Sequence, residues 1–147
     1  MCGIVGLFLK DPTLEPMLGD MLTDMLITMT DRGPDSAGIA VYGAETVGNA
    51  KLTVQSDTPD SDFLKLDNDL RKLVMGKVEM STKDTHAVLE MQADQLDIAR
   101  AALGNLRPNV RVMSRGDTLE IYKEVGLPKD VASRFDVRTM SGTHGIG

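Results

Sequence analysis

The chain has 147 residues, a formal net charge of −6 at pH 7 and a composition that is 41% hydrophobic and 26% charged. That length supports one domain with a real core and the composition excludes disordered and fibrous classes, while the acidic balance argues against a protein that tracks a nucleic-acid backbone or an anionic membrane surface. No apolar run approaches the roughly 20 residues of a membrane helix, no secretory leader is expected at the N-terminus, and a single cysteine excludes an intrachain disulfide, so a reducing cytoplasm is the expected compartment.

Taken in order, Cys2 to Leu9 reads as a buried strand, because Ile4, Val5, Leu7, Phe8 and Leu9 form a short apolar run stopped by Asp11-Pro12. Met17, Leu18, Met21, Leu22, Met25, Leu26 and Met29 then recur at helical spacing, which predicts a helix from about Glu15 to Thr30 with an apolar core stripe. A methionine stripe also suits a partner helix, but core packing is the simpler reading. Asp31-Arg32-Gly33-Pro34-Asp35-Ser36 ends that helix in a turn, since proline restricts the residue before it and glycine tolerates unusual backbone angles. Ala37 to Tyr42 reads as a second buried strand.

Beyond Gly43 the pattern weakens. Lys51 to Gln55 reads as a strand, Thr58-Pro59-Asp60 as a cap, and Asp62 to Met75 has helical spacing through Phe63, Leu66, Leu70 and Leu73. His86 to Met91 is compatible with a strand. Asp94 to Leu106 is a clearer helix, ended by Pro108. Val110–Met113 and Thr118–Val125 are expected to pair as a hairpin across Ser114-Arg115-Gly116-Asp117, and Pro128 opens a helix to Phe135. Arg100, Arg107, Arg111 and Arg115 lie in a segment, 98–116, that holds no acid; a solvated face is preferred there over an anion or partner site. The whole order fits a layered α/β or α+β domain.

Chemistry centres on Cys2. Removal of Met1 would leave a residue carrying both a thiol and a free α-amine, the arrangement in which the amine serves as local base. An α-amine with a pKa of about 7.7–8.0 is partly neutral at pH 7, whereas a thiol near about 8.5 is only a few per cent thiolate, so the amine is a credible base without a histidine. The competing reading is an inert buried cysteine. The turn Arg32 to Gly38 bears on the choice: its glycines allow close backbone approach, and Arg32 would keep a thiolate site electropositive.

Rival motifs fail on residue type. Gly33 and Gly38 have the glycine spacing of a phosphate-binding loop, but Ile39-Ala40 stand where Lys and Ser or Thr are required. Gly3-x-x-Gly6 lacks the first glycine of a dinucleotide fingerprint. His86 and His144 read as structural, and one cysteine with two separated histidines offers no metal spacing.

Met1-Cys2-Gly3-Ile4-Val5-Gly6 and Asp31-Arg32-Gly33-Pro34-Asp35-Ser36-Ala37-Gly38, in that order, resemble the class II glutamine amidotransferases, which belong to the N-terminal nucleophile hydrolases. Gly142-Thr143-His144-Gly145-Ile146-Gly147 resembles the lead-in to a third family motif, in which His-Thr-Arg would follow. The stretch between the motifs, including Glu120 to Pro128, looks most like the amidotransferase subunit of glutamate synthase-like and N-methylglutamate synthase-type complexes.

The resemblance implies an α+β, four-layer αββα sandwich, incomplete in this chain, with residues 1–147 as the N-terminal part of the domain and a family-variable α/β segment at about 49–140. It implies Cys2 as nucleophile and Arg32 as the arginine beside it, with Gly33, Asp35, Ser36 and Gly38 shaping the turn. The substrate would be L-glutamine, held by residues beyond Gly147, and the partners synthase subunits that accept ammonia. No cofactor or metal is implied. A catalytically silent interaction module of the same fold, or an amidophosphoribosyltransferase-like or glucosamine-synthase-like domain, stands as the alternative.

Overall fold

The computed structural model describes residues 3–147; Met1 and Cys2 lie outside the described residues. In chain order the regular elements are β1 (Gly6–Phe8), α1 (Leu18–Thr28), β2 (Ser36–Tyr42), β3 (Asn49–Gln55), α2 (Pro59–Asp62), α3 (Leu66–Leu70), β4 (Glu79–Lys83) and β5 (His86–Gln92). There follow α4 (Leu96–Leu106), β6 (Arg111–Gly116), β7 (Leu119–Val125), α5 (Pro128–Arg134) and β8 (His144–Ile146). The result is an α+β fold with two four-stranded antiparallel sheets. The chain divides into two compact units where composition led us to expect one: residues up to Ala44 with Ile121–Gly147, and Glu45–Glu120.

The first unit is built on a sheet of order β1-β8-β2-β7. β8 runs between β1 and β2, with Phe8 opposite His144 on one side and Tyr42 opposite His144 on the other. Backbone bonds Val5 N–H to Gly147 O (2.9 Å) and Leu9 N–H to Thr143 O (2.8 Å) prolong the β1 pairing at both ends, so the expected strand is extended chain from Val5 to Leu9, but it is not the buried strand expected, since none of these residues is buried.

Pro12 and Pro16 remove backbone donors, and the expected helix from Glu15 accordingly begins as a 3-10 segment, Pro12–Met17, before α1 proper. Leu18, Leu22 and Leu26 of α1 are buried, four residues apart, whereas Met17 is exposed and Met21, Met25 and Met29 are half-buried. The core stripe is therefore narrower than the sequence pattern and made of leucine. Gly19 lets α1 approach the 3-10 turn Val137–Thr139, since a Cβ there would fall 2.0 Å from the Val137 carbonyl oxygen. Its own N–H donates to Met140 O at 2.9 Å. Arg138 fastens the same turn to α1 through Asp20 and, at 2.6 Å, Asp24.

The second unit has sheet order β4-β5-β3-β6, with Leu52 opposite Leu89 and Val54 opposite Ala87. By strand alternation these residues share one face, and they form a core with Leu66 and Leu70 of α3 and Ala99 and Leu103 of α4. Lys51 and Thr53 point to the other face.

Three expectations are corrected here. The 62–75 helix is broken, because Lys65 sits at φ 55, a left-handed angle that a continuous helix excludes, leaving the short α2 and α3. β6 and β7 do not form the expected hairpin ladder: β6 pairs with β3 from Lys51–Gly116 to Gln55–Arg111, and β7 adds to β2. Of the 98–116 arginines, Arg100, Arg111 and Arg115 are exposed, as a solvated face requires, and pair with Asp97 and Asp57 at the surface, whereas Arg107 departs from the expectation and is half-buried against Asp69.

Candidate functional site

The end of α1 positions the motif residues. Met29 closes the helix with ψ near 4°, and the chain tightens into the 3-10 turn Thr30–Arg32, in which Arg32 N–H donates to Met29 O at 2.9 Å and Gly33 N–H to Thr30 O at 3.2 Å. Gly33 then straightens the backbone through Pro34 and Asp35 into β2. Asp35 is anchored by its carbonyl, which accepts from Gly126 N–H at 2.9 Å.

This path brings Gly33, Ser36 and Gly38 onto the wall of a small cavity of about 70 Å3, together with Gly3, Met29 and Gly147. Arg32 stands beside the same point, for a Cβ built on Gly3 would lie 3.4 Å from Arg32 Cβ. Asp35 is not among the residues lining the cavity. Cys2 lies outside the described residues, but it is bonded to Gly3, and Gly3 is at the cavity. The two glycine-containing motifs, nearly 30 positions apart in sequence, thus meet around one small space.

Met29, Pro128 and Gly147 also line the cavity, and sequence reasoning assigned none of them to it. Met29 was hidden in the helical stripe; its three-residue offset from Arg32 was the available signal. Pro128 opens α5 and Gly147 follows β8, so only the fold brings them here.

His86 is fully buried with Nδ1 3.1 Å from Thr85 Oγ1, and His144 stacks on Tyr42 at 3.9 Å with Nδ1 2.9 Å from Thr143 Oγ1.

A larger cavity of about 610 Å3 lies wholly in the second unit, lined by residues that include Lys51, Arg71, Glu79, Glu90 and Glu120. Its charges already pair internally: Lys51 with Glu120 at 2.7 Å, Arg71 with Asp67 at 3.1 Å, and Lys77 with Glu79. The Asn49 amide donating to Glu90 at 3.1 Å, with Thr46 and Lys51 assisting, holds that carboxyl below its usual pKa. None of the described motif residues lines this cavity, so volume alone is a poor guide and the small one is the candidate site.

No family model matches the sequence. Over its whole length the chain is 60% identical to the "Glutamine amidotransferase-like protein GlxB" of Rhizobium meliloti (strain 1021), covering 48% of that protein. It is 28% identical over 160 aligned positions to the "Putative glutamine amidotransferase" of Methanothermobacter thermautotrophicus, covering 50% of it. The chain therefore spans about half the length of these curated relatives and is similar, along its whole length, to one protein named as glutamine amidotransferase-like and one named as a putative glutamine amidotransferase.

Proposed function

We propose that this chain is the N-terminal part of a class II glutamine amidotransferase, an N-terminal nucleophile enzyme in which Cys2 becomes the first residue after Met1 is removed. The observation that carries this reading is the meeting of Gly3, the residue after Cys2, with Arg32, Gly33, Ser36 and Gly38 at one small cavity. Similarity over the whole of this chain to a glutamine amidotransferase-like protein and a putative glutamine amidotransferase, each covered over about half its length, supports it.

In the proposed reaction the freed α-amine takes the Cys2 thiol proton and the thiolate attacks the side-chain amide carbon of L-glutamine. The tetrahedral intermediate collapses by breaking the C–N bond, with the proton returned by the α-amine to the leaving nitrogen, so ammonia departs and a γ-glutamyl thioester remains. Water then hydrolyses the thioester to glutamate and restores the thiol. Arg32 favours the thiolate by its positive charge, and ammonia passes to a synthase subunit of a glutamate synthase-like or N-methylglutamate synthase-type complex. We place this chemistry in the cytoplasm; no helix of the described residues is long and apolar enough to cross a membrane.

The four-layer sandwich belongs to the same proposal. Ile4, Phe8 and Ile146 are exposed, at 80%, 66% and 47%, and Phe8 and Ile146 share one face of the first unit's sheet with His144 and Tyr42. An apolar sheet face of this kind suits a second sheet laid upon it. Oxyanion donors and a clamp for the glutamine carboxylate would come from residues beyond 147, and losing one such donor slows acyl transfer by about 10²–10³. The 147-residue chain by itself is accordingly expected to be inactive.

The test is labelling of Cys2 by a glutamine-like electrophile in a form extended to the relatives' length, with loss of labelling in Cys2→Ser. Intact mass adds a second arm: retained Met1 blocks the amine and supports the catalytically silent module instead. Robust glutaminase activity from the 147-residue chain would refute the incomplete-site reading.

A further inference from the structure

Glycine at position 3 answers a demand for space. A Cβ built on Gly3 would fall 2.5 Å from Met29 Cε, 3.4 Å from Arg32 Cβ and 3.6 Å from Met29 Cβ. Carbon atoms in favourable contact sit about 3.5–4.0 Å apart, so the methyl group of Met29 fills the volume that a side chain at position 3 would need. Met29 and Arg32 reach Gly3 together because the 3-10 turn between them sets them three residues apart, and in that geometry positions i and i+3 eclipse.

Met29 has a second role at the same place, since it also walls the 70 Å3 cavity that Gly33, Ser36 and Gly38 share. A thioether side chain is flexible and adapts to irregular space. The Met29 methyl therefore has two destinations, against Gly3 or into the cavity, and cannot occupy both.

We propose that Met29 is a positioning residue of the Cys2 site: its methyl, seated on Gly3, fixes the backbone that carries Cys2 and keeps the adjoining cavity open. A larger residue at position 3 drives the methyl into the cavity and shifts the backbone one bond away from the nucleophile. This rests on the reading of Cys2 as the nucleophile, and it adds a residue that the motifs do not contain.

The test uses the full 147-residue chain, in which Cys2 is the single thiol. The rate of Cys2 alkylation by iodoacetamide is followed between about pH 6 and 10, a range that spans the α-amine and thiol titrations. Gly3→Ala is expected to change the rate by about fivefold or more, and Gly3→Ala/Met29→Ala to return it to within about twofold of the parent, the non-additivity of residues in contact.

Independent, multiplying effects of the two substitutions overturn the proposal, as does an unchanged rate in Gly3→Ala. Far-UV circular dichroism and urea midpoints guard against unfolding; if Gly3→Ala does not fold, Met29→Ala alone must alter the rate at an unchanged midpoint, and failure to do so also overturns it. Failure of the nucleophile reading shows separately, as a parent profile that follows an ordinary thiol near about 8.5 while the Gly3–Met29 coupling persists.

Discussion

Arg107, just past the end of α4, donates through Nη2 to Asp69 Oδ2 of α3 at 2.9 Å. The same guanidinium donates from Nε to Asp62 O at 2.8 Å and from Nη2 to Leu64 O at 3.0 Å. One side chain thus ties the end of α4 to both ends of the break around Lys65, and only 19% of it is exposed. The planar fork of arginine can reach several acceptors at once, which a lysine ammonium on a single stem does not reproduce. Arg107→Ala leaves three backbone carbonyls, those of Asp62, Leu64 and Leu106, without this donor and is expected to lower stability by about 2–3 kcal/mol. Arg107→Lys should recover less than half of that. Urea unfolding followed by circular dichroism measures both, and a midpoint unchanged in Arg107→Ala would remove the clamp from the account.

Thr53 presents the opposite case. Its side chain is fully buried in β3, and its Oγ1 has no hydrogen-bond partner among the described residues. It sits where the β3–β6 register shifts, between Ser114 opposite Thr53 and Val112 opposite Val54. An unsatisfied buried hydroxyl costs about 1–3 kcal/mol, and valine keeps the β-branched shape while deleting the polar group. Thr53→Val is therefore expected to raise stability by about 1 kcal/mol, read as an upward shift in melting temperature. A lower melting temperature would show that the hydroxyl is satisfied.

What the sequence reveals of this fold is the part written in local periodicity. The leucines of α1, the apolar spacing of α4 and the proline opening α5 all mark helices that form, although α1 begins only at Leu18, after the 3-10 segment that Pro12 and Pro16 impose. β4, Glu-Met-Ser-Thr-Lys, carries no alternating apolar signal because it is a sheet edge with mostly exposed side chains. β8 is a three-residue strand, His-Gly-Ile, whose identity depends on lying between β1 and β2 rather than on its own residues. The break at Lys65 follows from a left-handed backbone angle that a lysine does not announce. At the site, Gly33, Ser36 and Gly38 were legible as a motif and meet at one cavity, whereas Met29 looked like any other residue of an apolar stripe.

Gly19 is the tightest contact between α1 and the turn that precedes β8. A Cβ there would lie 2.0 Å from Val137 O, 2.7 Å from Met140 O and 2.9 Å from Met140 N, all backbone atoms with no rotamer to relieve them. Alanine normally favours a helix over glycine by about 1 kcal/mol. Here the clash reverses that preference, and Gly19→Ala is expected to destabilise by about 3 kcal/mol or more. Hydrogen exchange should show the Gly19 N–H to Met140 O bond opening first. A stabilised Gly19→Ala would mean that the 137–140 turn moves away at little expense.

Glu90 gives stability a definable pH dependence. The Asn49 amide at 3.1 Å, helped by Thr46 and Lys51, favours the ionised carboxyl, so the folded pKa lies below the usual value of 4.5. A depressed carboxylate pKa means that the unfolded chain binds the proton more tightly than the folded one. The contribution of Glu90 is therefore complete above the unfolded pKa, and it is lost as pH falls through that value and then through the lower folded one. Asp69 shifts in the same direction, chiefly through hydrogen bonds from Lys72 and Arg107, so the acid sensitivity of the parent alone does not isolate Glu90. The difference between parent and Glu90→Gln does. Glutamine keeps an acceptor for Asn49 but not the charge, and the difference should be about 0.5–1 kcal/mol at neutral pH, shrinking toward zero as pH falls through the unfolded and then the folded pKa. Urea midpoints of the two proteins across that range provide the measurement, and a difference that stays constant or grows on acidification would contradict the assigned shift.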